Sequence, residues 1–454
     1  MSSLGASLAI ALSGLTAEQG AMEATTNNVA NVNTPGYSRE VPVLVTKDPI
    51  VEDRLTFGTG VDLQSLESVR DPILESQIQQ ETQTQGQLSA LVSALSETQT
   101  NFSSSGADVG TAISNFFDSV NQLSTNPSDV SLRQSVLTAA GNVANAFNVT
   151  ASRLTAQRTN LDASVEQTAS QINQLTGQIA KLNLQISNLE SVGQTAGTFV
   201  DQRTQLIDQL SSLIDVSVIP TDNTITLTTA SGTALVAGYQ SFDVSTALDA
   251  SGVQHVFSQG QDITSKIVSG QMGGLLEARD QQIPSLLNQL DTLAAGFATA
   301  VNQVQAAGFD LNGNAGTNLF NPPPAAGAAS SLSVAITDPA LIAASSDGSA
   351  GSNGNAEALY ALRNQAVING QSPTDYYSSI VFNIGNAAAN AIAGQSASGL
   401  VLGQLNDQRA SVSGVSLDQE AANLMQYQQA YAASAQVIST INSMMQTVIN
   451  MKSS

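Results

Sequence analysis

The sequence has no cysteine, no tryptophan and one histidine, His255, and only 4% of its 454 residues are aromatic. The lack of cysteine rules out disulfides, thiolate zinc sites and a cysteine nucleophile together. It fits a chain that crosses from a reducing to an oxidising compartment, and it fits a cytosolic protein equally well. One histidine leaves no HExxH motif and no two-histidine metal site. What fills the space is Ala, Ser, Gln, Asn and Thr. That mixture suits long helices packed through small residues better than a compact enzyme with an aromatic-lined pocket.

Basic charge is scarce as well: 14 Lys and Arg stand against 36 Asp and Glu, a net charge of −22. Binding a phosphate backbone needs clustered Lys and Arg, so no nucleic-acid partner is expected. No window is apolar enough to span a bilayer, so no membrane insertion is expected either. The first residues, MSSLGASLAIALSGLTAEQG, lack a basic n-region and are interrupted by Gly, Ser and Gln. They do not read as a cleaved signal, and export would have to use a route that retains them. A chain of this length is expected to form about two to four domains.

The ends of the chain carry the clearest pattern. Met1, Leu8, Leu15, Met22 and Val29 fall on one seven-residue spine, with Leu4, Ala11 and Leu12 beside it. Leu417, Leu424, Tyr431, Ile438 and Met445 form a second, with Tyr427, Ile441 and Val448 at the companion position. Sustained heptads predict helices that meet other helices, and the two spines match in length at roughly 45–50 Å each. Residues 421–451 hold no charged side chain, and residues 1–38 hold only Glu18 and Glu23. A helix with a solvated face normally carries charge there. These faces predict termini that order fully when many subunits pack, because a small apolar stripe does not by itself offset the ordering entropy.

Between the ends, residues 41–70 read as extended and Pro72 to about Leu123 as helical. A second long helix is predicted through Leu154, Leu161, Leu175, Leu182 and Leu189, with Val165, Ile172, Ile179 and Ile186 at the other core position. This is the strongest coiled-coil signal in the chain, and its neighbours in sequence are the simplest partners. Residues 216–269 turn β-branched and alternating, which predicts a small β-domain. Helix returns at 271–307, the loop DLNGNAGTNLFNPPPAAGAAS follows, LSVAI reads as one strand, and NAEALYALRNQ and 373–412 read as helices. The nesting predicts a linear object with the termini at one end and the β-domain at the other.

No chemistry emerges. A Ser-His-Asp triad would have to use His255, which sits in the strand-like GVQHVFSQG, and no phosphate-binding glycine loop is present. The stretch from Asp310 resembles a calcium loop at its first three ligand spacings, but Ala315 replaces the required glycine and Asn321 the bidentate glutamate. Asn101 and Asn148 begin glycosylation sequons by pattern only. No catalytic, cofactor-binding or metal-binding residue is expected.

One string is more specific. Ala30–Glu40, ANVNTPGYSRE, resembles the ANxxTPGY motif of the bacterial flagellar rod, hook and hook-associated proteins. Asn31 and Asn33 are suited to end the helix, Pro35-Gly36 forces the chain out of it, and Tyr37 supplies an amphipathic anchor. Within that superfamily, GTGVDLQSLESVRDPILESQI (58–78), DQRTQLIDQLSSLIDVSV (201–218), GGLLEARDQQIPSLLNQLDTLAAGFATAVNQVQAAGFDLNG (273–313) and SGVSLDQEAANLMQYQQAYAASAQVIS (413–439) are similar, in order, to the hook-associated protein 1 family.

The resemblance implies a mainly α, elongated rod of long helices and coiled coil with a small inserted β-domain. It divides the chain into 1–36 with 415–454 as a terminal inner-tube domain, 37–215 with 271–414 as a helical core, and 216–270 as the β-domain. It further implies secretion through the flagellar type III export channel and self-association into a ring. Hook protein would lie on one side and the second junction protein on the other, with an export chaperone at the C-terminal helix. The residues expected to carry assembly are Leu8, Leu15, Met22, Val29, Asn31, Pro35, Gly36, Tyr37, Leu417, Leu424, Tyr427, Tyr431, Ile438, Ile441, Met445 and Val448. The rival readings are a hook or other axial polymer subunit, and a surface adhesin or glycan-binding protein. Against the second, 216–270 contains only Tyr239, Phe242 and Phe257 as aromatics.

Overall fold

The computed structural model describes residues 2–52, 55–102, 108–221, 224–250 and 252–453. Met1 of the N-terminal spine lies outside them. The chain opens with helix α1 (Ser2–Ala30) and closes with α11 (Leu417–Ser453), and the two lie side by side. After α1 the chain turns into strands β1 (Glu40–Thr46), β2 (Ile50–Glu52), β3 (Leu55–Phe57) and β4 (Val61–Ser68). β1 and β4 pair as an antiparallel ribbon packed on α1, and β2 and β3 pair separately.

The core follows as α2 (Pro72–Phe102), α3 (Val109–Thr125), α4 (Val130–Ser191) and α5 (Gly197–Leu213). The helical pattern from Pro72 to Leu123 therefore belongs to two helices. Asp108 caps the second, its carboxylate accepting from the Thr111 N–H. α4 has 62 residues and spans about 90 Å at the usual rise per residue. Asp129 caps it, and its Val165–Ile172–Ile179–Ile186 stripe is wholly buried, while Leu175 and Leu182 are half-buried.

The partner of that stripe differs from a simple coiled coil. α5 returns along α4, but the other flank of the stripe is covered by strands: β5 (Ser217–Thr221), β6 (Thr224–Thr228), β7 (Ala234–Ala237) and β8 (Gln240–Ser241) in one sheet, and β9 (Val244–Leu248), β10 (Gln254–Ser258) and β11 (Gln261–Asp262) in another. Two asparagines on α4 stitch this unit down. Asn173 exchanges a pair of 2.8 Å hydrogen bonds with the Val244 main chain, and Asn183 donates to the carbonyls of Ile225 and Gly238. Helix and sheet thus share one core through α4, and each satisfied amide removes a buried-polar penalty.

This placement corrects the linear order expected from sequence. The β-unit does not sit at the far end from the termini. It lies beside the C-terminal half of α4, with Val218 and Pro220 across a cleft from Pro72 at the start of α2. The reason is the α4–α5 hairpin, which brings the chain back towards its start before β5 begins.

The core is completed by α6 (Gly270–Glu277) and a π-helical turn at Ala278–Gln282, which lie beside the β-unit, then α7 (Ile283–Ala307), the short α8 (Ala328–Ser331) and α9 (Gly354–Ala361), and finally α10 (Pro373–Ser413). Phe116, Phe117, Phe297 and Phe320 are fully buried there and meet edge-on, with Phe116 and Phe297 centroids 5.5 Å apart. Burying each ring contributes roughly 2–3 kcal/mol, so the few aromatics stand where α3, α7 and a loop must be held together. The expected LSVAI strand does not form: it makes one bridge, Val334 to Phe320, because its partner is an irregular loop.

Candidate functional site

Helix α1 is clasped on two sides. Ser13 Oγ accepts from the Val61 N–H of the ribbon, and a side chain at Gly20 would collide with Leu63. On another side Gly14 lies against Ser434 of α11. The fully buried stripe is therefore Ala17, Ala21, Ala24 and Asn28, not the predicted spine. Leu8, Leu15 and Met22 are half-buried and Val29 is exposed. A heptad reading assumes one partner; a helix wedged between two buries the small residues that let both approach.

The C-terminal spine faces α1 more directly. Ile441 is buried, Leu424, Tyr427, Tyr431, Ile438 and Met445 are half-buried, and Leu417 and Val448, at its two ends, are exposed. Burial, and after it the carboxylates of Glu18 and Glu420, pushes the Tyr427 phenol up. Elsewhere on its surface α11 exposes Met425, Val437, Met444, Ile449 and Met451 with no charge between them.

The turn that ends α1 has a definite mechanism. The Asn31 amide donates back to the carbonyl and side chain of Asn27, and Thr34 Oγ1 donates to Asn31 Oδ1. The Tyr37 N–H then reaches the Thr34 carbonyl at 3.2 Å, with Pro35 second and Gly36 third at φ +75°. That is the pattern of a type II turn, which fixes Pro and Gly in those positions. Asn33 is exposed. The residue that locks the motif is Asn28: it accepts from the Tyr37 hydroxyl and from the Glu40 N–H, and donates to the Glu40 carbonyl, all at 2.8 Å. Burial and the carboxylates of Glu40, Asp201 and Glu420 push the Tyr37 phenol up, so it stays a donor.

The turn is fastened to the core by α5. Asp201 accepts from the Ser38 N–H at 3.0 Å, the Ser38 hydroxyl at 2.7 Å and Arg70 at 2.6 Å, and Arg70 also donates to the Gly197 carbonyl. Gln205 donates to the Pro35 carbonyl. The Arg39 N–H donates to the Ser413 carbonyl, where α10 ends, and its guanidinium reaches Gln419. Five separate segments therefore meet at one joint. A cleft of about 650 Å³ opens beside it, and on its far wall Arg409 sits between Glu75 at 3.5 Å and Asp208 at 3.2 Å. Burial, reinforced by Glu75 and opposed by Arg409, raises Asp208 to about 6.

Of the residues expected to carry assembly, Asn31, Pro35, Gly36 and Tyr37 shape this joint within the chain; Asn28, Ser38, Arg70, Asp201 and Gln205, which also build it, were not singled out from sequence. The last three come from other parts of the chain and carried no local signal. The weaker candidates resolve into ordinary structure. His255 is held by two carboxylates, Asp262 at 2.6 Å and Asp249 at 3.5 Å. Asp310 is buried and closes its own turn, accepting from the Asn312 and Asn314 N–H groups at 2.8 Å each. Asn148 donates to the Ala144 and Leu332 carbonyls, so its amide is engaged in the fold. Among the described residues no cluster of His, Asp and Glu suits a metal ion, and no helix is long and apolar enough to cross a membrane.

Comparison with known proteins gives the class first. Family models match in chain order: the flagella basal body rod protein over residues 8–37, the flagellar hook-associated protein FlgK helical domain over 95–320, and the flagellar basal body rod FlgEFG protein C-terminal region over 407–451. The two ends of the chain are thus similar to flagellar basal body rod proteins, and its middle to the helical domain of a hook-associated one. Over nearly the whole chain, the sequence is 32% identical to flagellar hook-associated protein 1 of Bacillus subtilis, covering 96% of each, and 28% identical to that of Escherichia coli, covering 97% of this chain and 99% of the relative. The fold is shared with the flagellar hook junction protein FlgK from Burkholderia pseudomallei at a TM-score of 0.68 and 19% identity, covering 74% of this chain and 100% of that one. The chain belongs to the flagellar hook-associated protein 1 family and has a structural role in the bacterial flagellum.

Proposed function

We propose that the chain is an adaptor at the hook–filament junction, exported through the flagellar type III channel and assembled there as a ring. Hook protein lies on one side and the second junction protein on the other. The observation that carries this reading is the α1–α11 pair, whose outer faces are almost free of charge and keep large apolar side chains in solvent. Such a pair is incomplete alone and is completed by copies of itself and by like pairs above and below. On this reading 1–36 with 415–454 forms the inner tube, 37–215 with 271–414 the rigid body outside it, and 216–270 a lateral unit.

An adaptor is needed because a bending hook and a stiff filament cannot directly template one another. A common inner tube continues through both, and the bodies outside it match different neighbours. The exposed apolar side chains of α11, open before assembly, are the surface an export chaperone would cover. The test is electron microscopy of cells lacking the gene, with the medium assayed for flagellin. Finished hooks without filaments, and flagellin in the medium, are expected. Missing hooks would move the chain down the axis, and intact filaments would overturn the reading.

A further inference from the structure

Helix α10 is packed along one side only. Its inner stripe, including Tyr377, Ile380, Ile384 and Ala388, is buried, chiefly against α2, and Gly394 lies close enough to Leu88 that a side chain there would crowd it. Its outer stripe runs Phe382, Asn386, Ala389, Ala393, Ser396 and Leu400, all exposed. Phe382 is 66% and Leu400 78% exposed, and Ile392 and Val401 flank them in solvent. Between Asp375 and Asp407 the helix carries no charged side chain, and α2 beside it carries none between Glu81 and Glu97. Next to this ridge α2 offers a shallow groove of about 410 Å³ lined by Gly86, Ser89, Ala90 and Ser93, tied to α10 by Gln395 donating to Ser89.

We propose that the outer stripe of α10 is the lateral contact between neighbouring copies of this chain. The proposal rests on the ring reading and adds to it the surface of the core through which the ring closes. Charge selects the occupant. A chain of net charge −22 meets a second copy most favourably where neither presents a carboxylate. A basic partner would need carboxylates here, and an anionic membrane would need Lys or Arg; this face has neither. The geometry suits a helix or groove of a second copy. Ala389, Ala393 and Ser396 are small enough to allow close approach, and Phe382 and Leu400 stand at either end as anchors. The stripe also leads along the chain to the proposed tube: α10 passes through Gly414 into α11, which is uncharged over 421–451, with the charged residues Asp407, Arg409, Asp418 and Glu420 confined to the passage between the two.

The contact is tested in the full chain in cells by placing a photoreactive phenylalanine analogue at Leu400. Irradiated, purified flagella are expected to yield adducts of two and more copies of this chain, and dilute protein shed into the medium none. Adducts with a different flagellar protein, or none at all, would overturn it. A second variant, Phe382→Glu with Leu400→Glu, alters two exposed positions and is expected to keep the circular dichroism and thermal transition of the parent. Its amount in flagella is expected to fall by about tenfold or more, with the chain recovered in the medium, because unpaired charges would be buried at the contact. Retention at the parental level in a background where deletion abolishes filaments would remove the α10 contact alone. Filaments on the deletion strain would remove the ring reading itself.

Discussion

Asn28 and Glu40 are joined twice, side chain to main chain: Asn28 Nδ2 donates to the Glu40 carbonyl and the Glu40 N–H donates to Asn28 Oδ1, each at 2.8 Å. The pair bridges the end of α1 to the first residue of β1, so the direction in which the terminal helix leaves the ribbon is set by one buried amide.

Replacing Asn28 with leucine keeps the branching and the number of heavy atoms and removes every one of these bonds. It leaves a buried N–H, a buried carbonyl and the Tyr37 hydroxyl without partners, at about 1–3 kcal/mol for each group that water does not reach. The expected result is faster hydrogen exchange and proteolysis across 28–40, with the core transition little changed. Unchanged protection in that segment would show that Asn28 is not the lock.

Asp201→Ala is expected to loosen the joint from the other side. The carboxylate holds Ser38 through two hydrogen bonds and Arg70 through a 2.6 Å ion pair. Arg70 is partly exposed, so water recovers some of the loss, and a decrease of about 2–3 kcal/mol in urea unfolding is expected. Asp201→Asn retains part of the Ser38 contacts and should fall between the two.

At Gly36 the backbone is left-handed at φ +75°, and an added side chain would meet Gln205. Gly36→Ala is expected to cost about 1–2 kcal/mol from the backbone alone. Export of the unfolded chain is expected to continue while incorporation into flagella drops, read as chain in the medium against chain in the flagella.

Asp208 gives the joint a pH dependence with a definite sign. Its folded pKa of about 6 lies above the ordinary 3.8, so the folded chain holds this proton more tightly than the unfolded one. The favourable contribution is complete below about pH 4 and is lost as pH rises through about 6. Asp208→Asn should abolish that component. The stability difference between the variant and the parent is expected to shift in favour of the variant from pH 4 to pH 7, measured by urea titration at each pH. A constant difference would mean Asp208 titrates normally.

Leu424 is half-buried on the face of α11 turned towards α1. Leu424→Glu is expected to leave the unfolding of the 72–412 core unchanged and to prevent incorporation. Normal filaments on cells carrying only this variant would contradict the assembly role given to the C-terminal spine.

Much of the fold was legible because it is local or periodic. The terminal helices, the long α4, the β-branched unit and the type II turn each announce themselves through spacing and turn chemistry within a single stretch. The heptads of α1 do not name the residues buried within the single chain, since periodicity records an apolar face but not how many neighbours share it. Ala17, Ala21 and Ala24 look like nothing in sequence and form the buried seam because α1 has two partners. The LSVAI segment shows the converse: strand propensity without a regular partner yields one bridge.

The sequence by itself determined that the chain is long, acidic, poor in aromatics and cysteine, helical at both ends and interrupted by TPGY, because composition, period and turn type are properties of neighbouring residues. Only the tertiary structure decided that Asp201, Arg70 and Gln205 hold that turn, that the β-unit lies beside α4 instead of at the far end, and that α10 keeps Phe382 and Leu400 in solvent. Those depend on which distant segments meet. A hydrogen bond across more than a hundred residues leaves no trace in the spacing of the residues that make it.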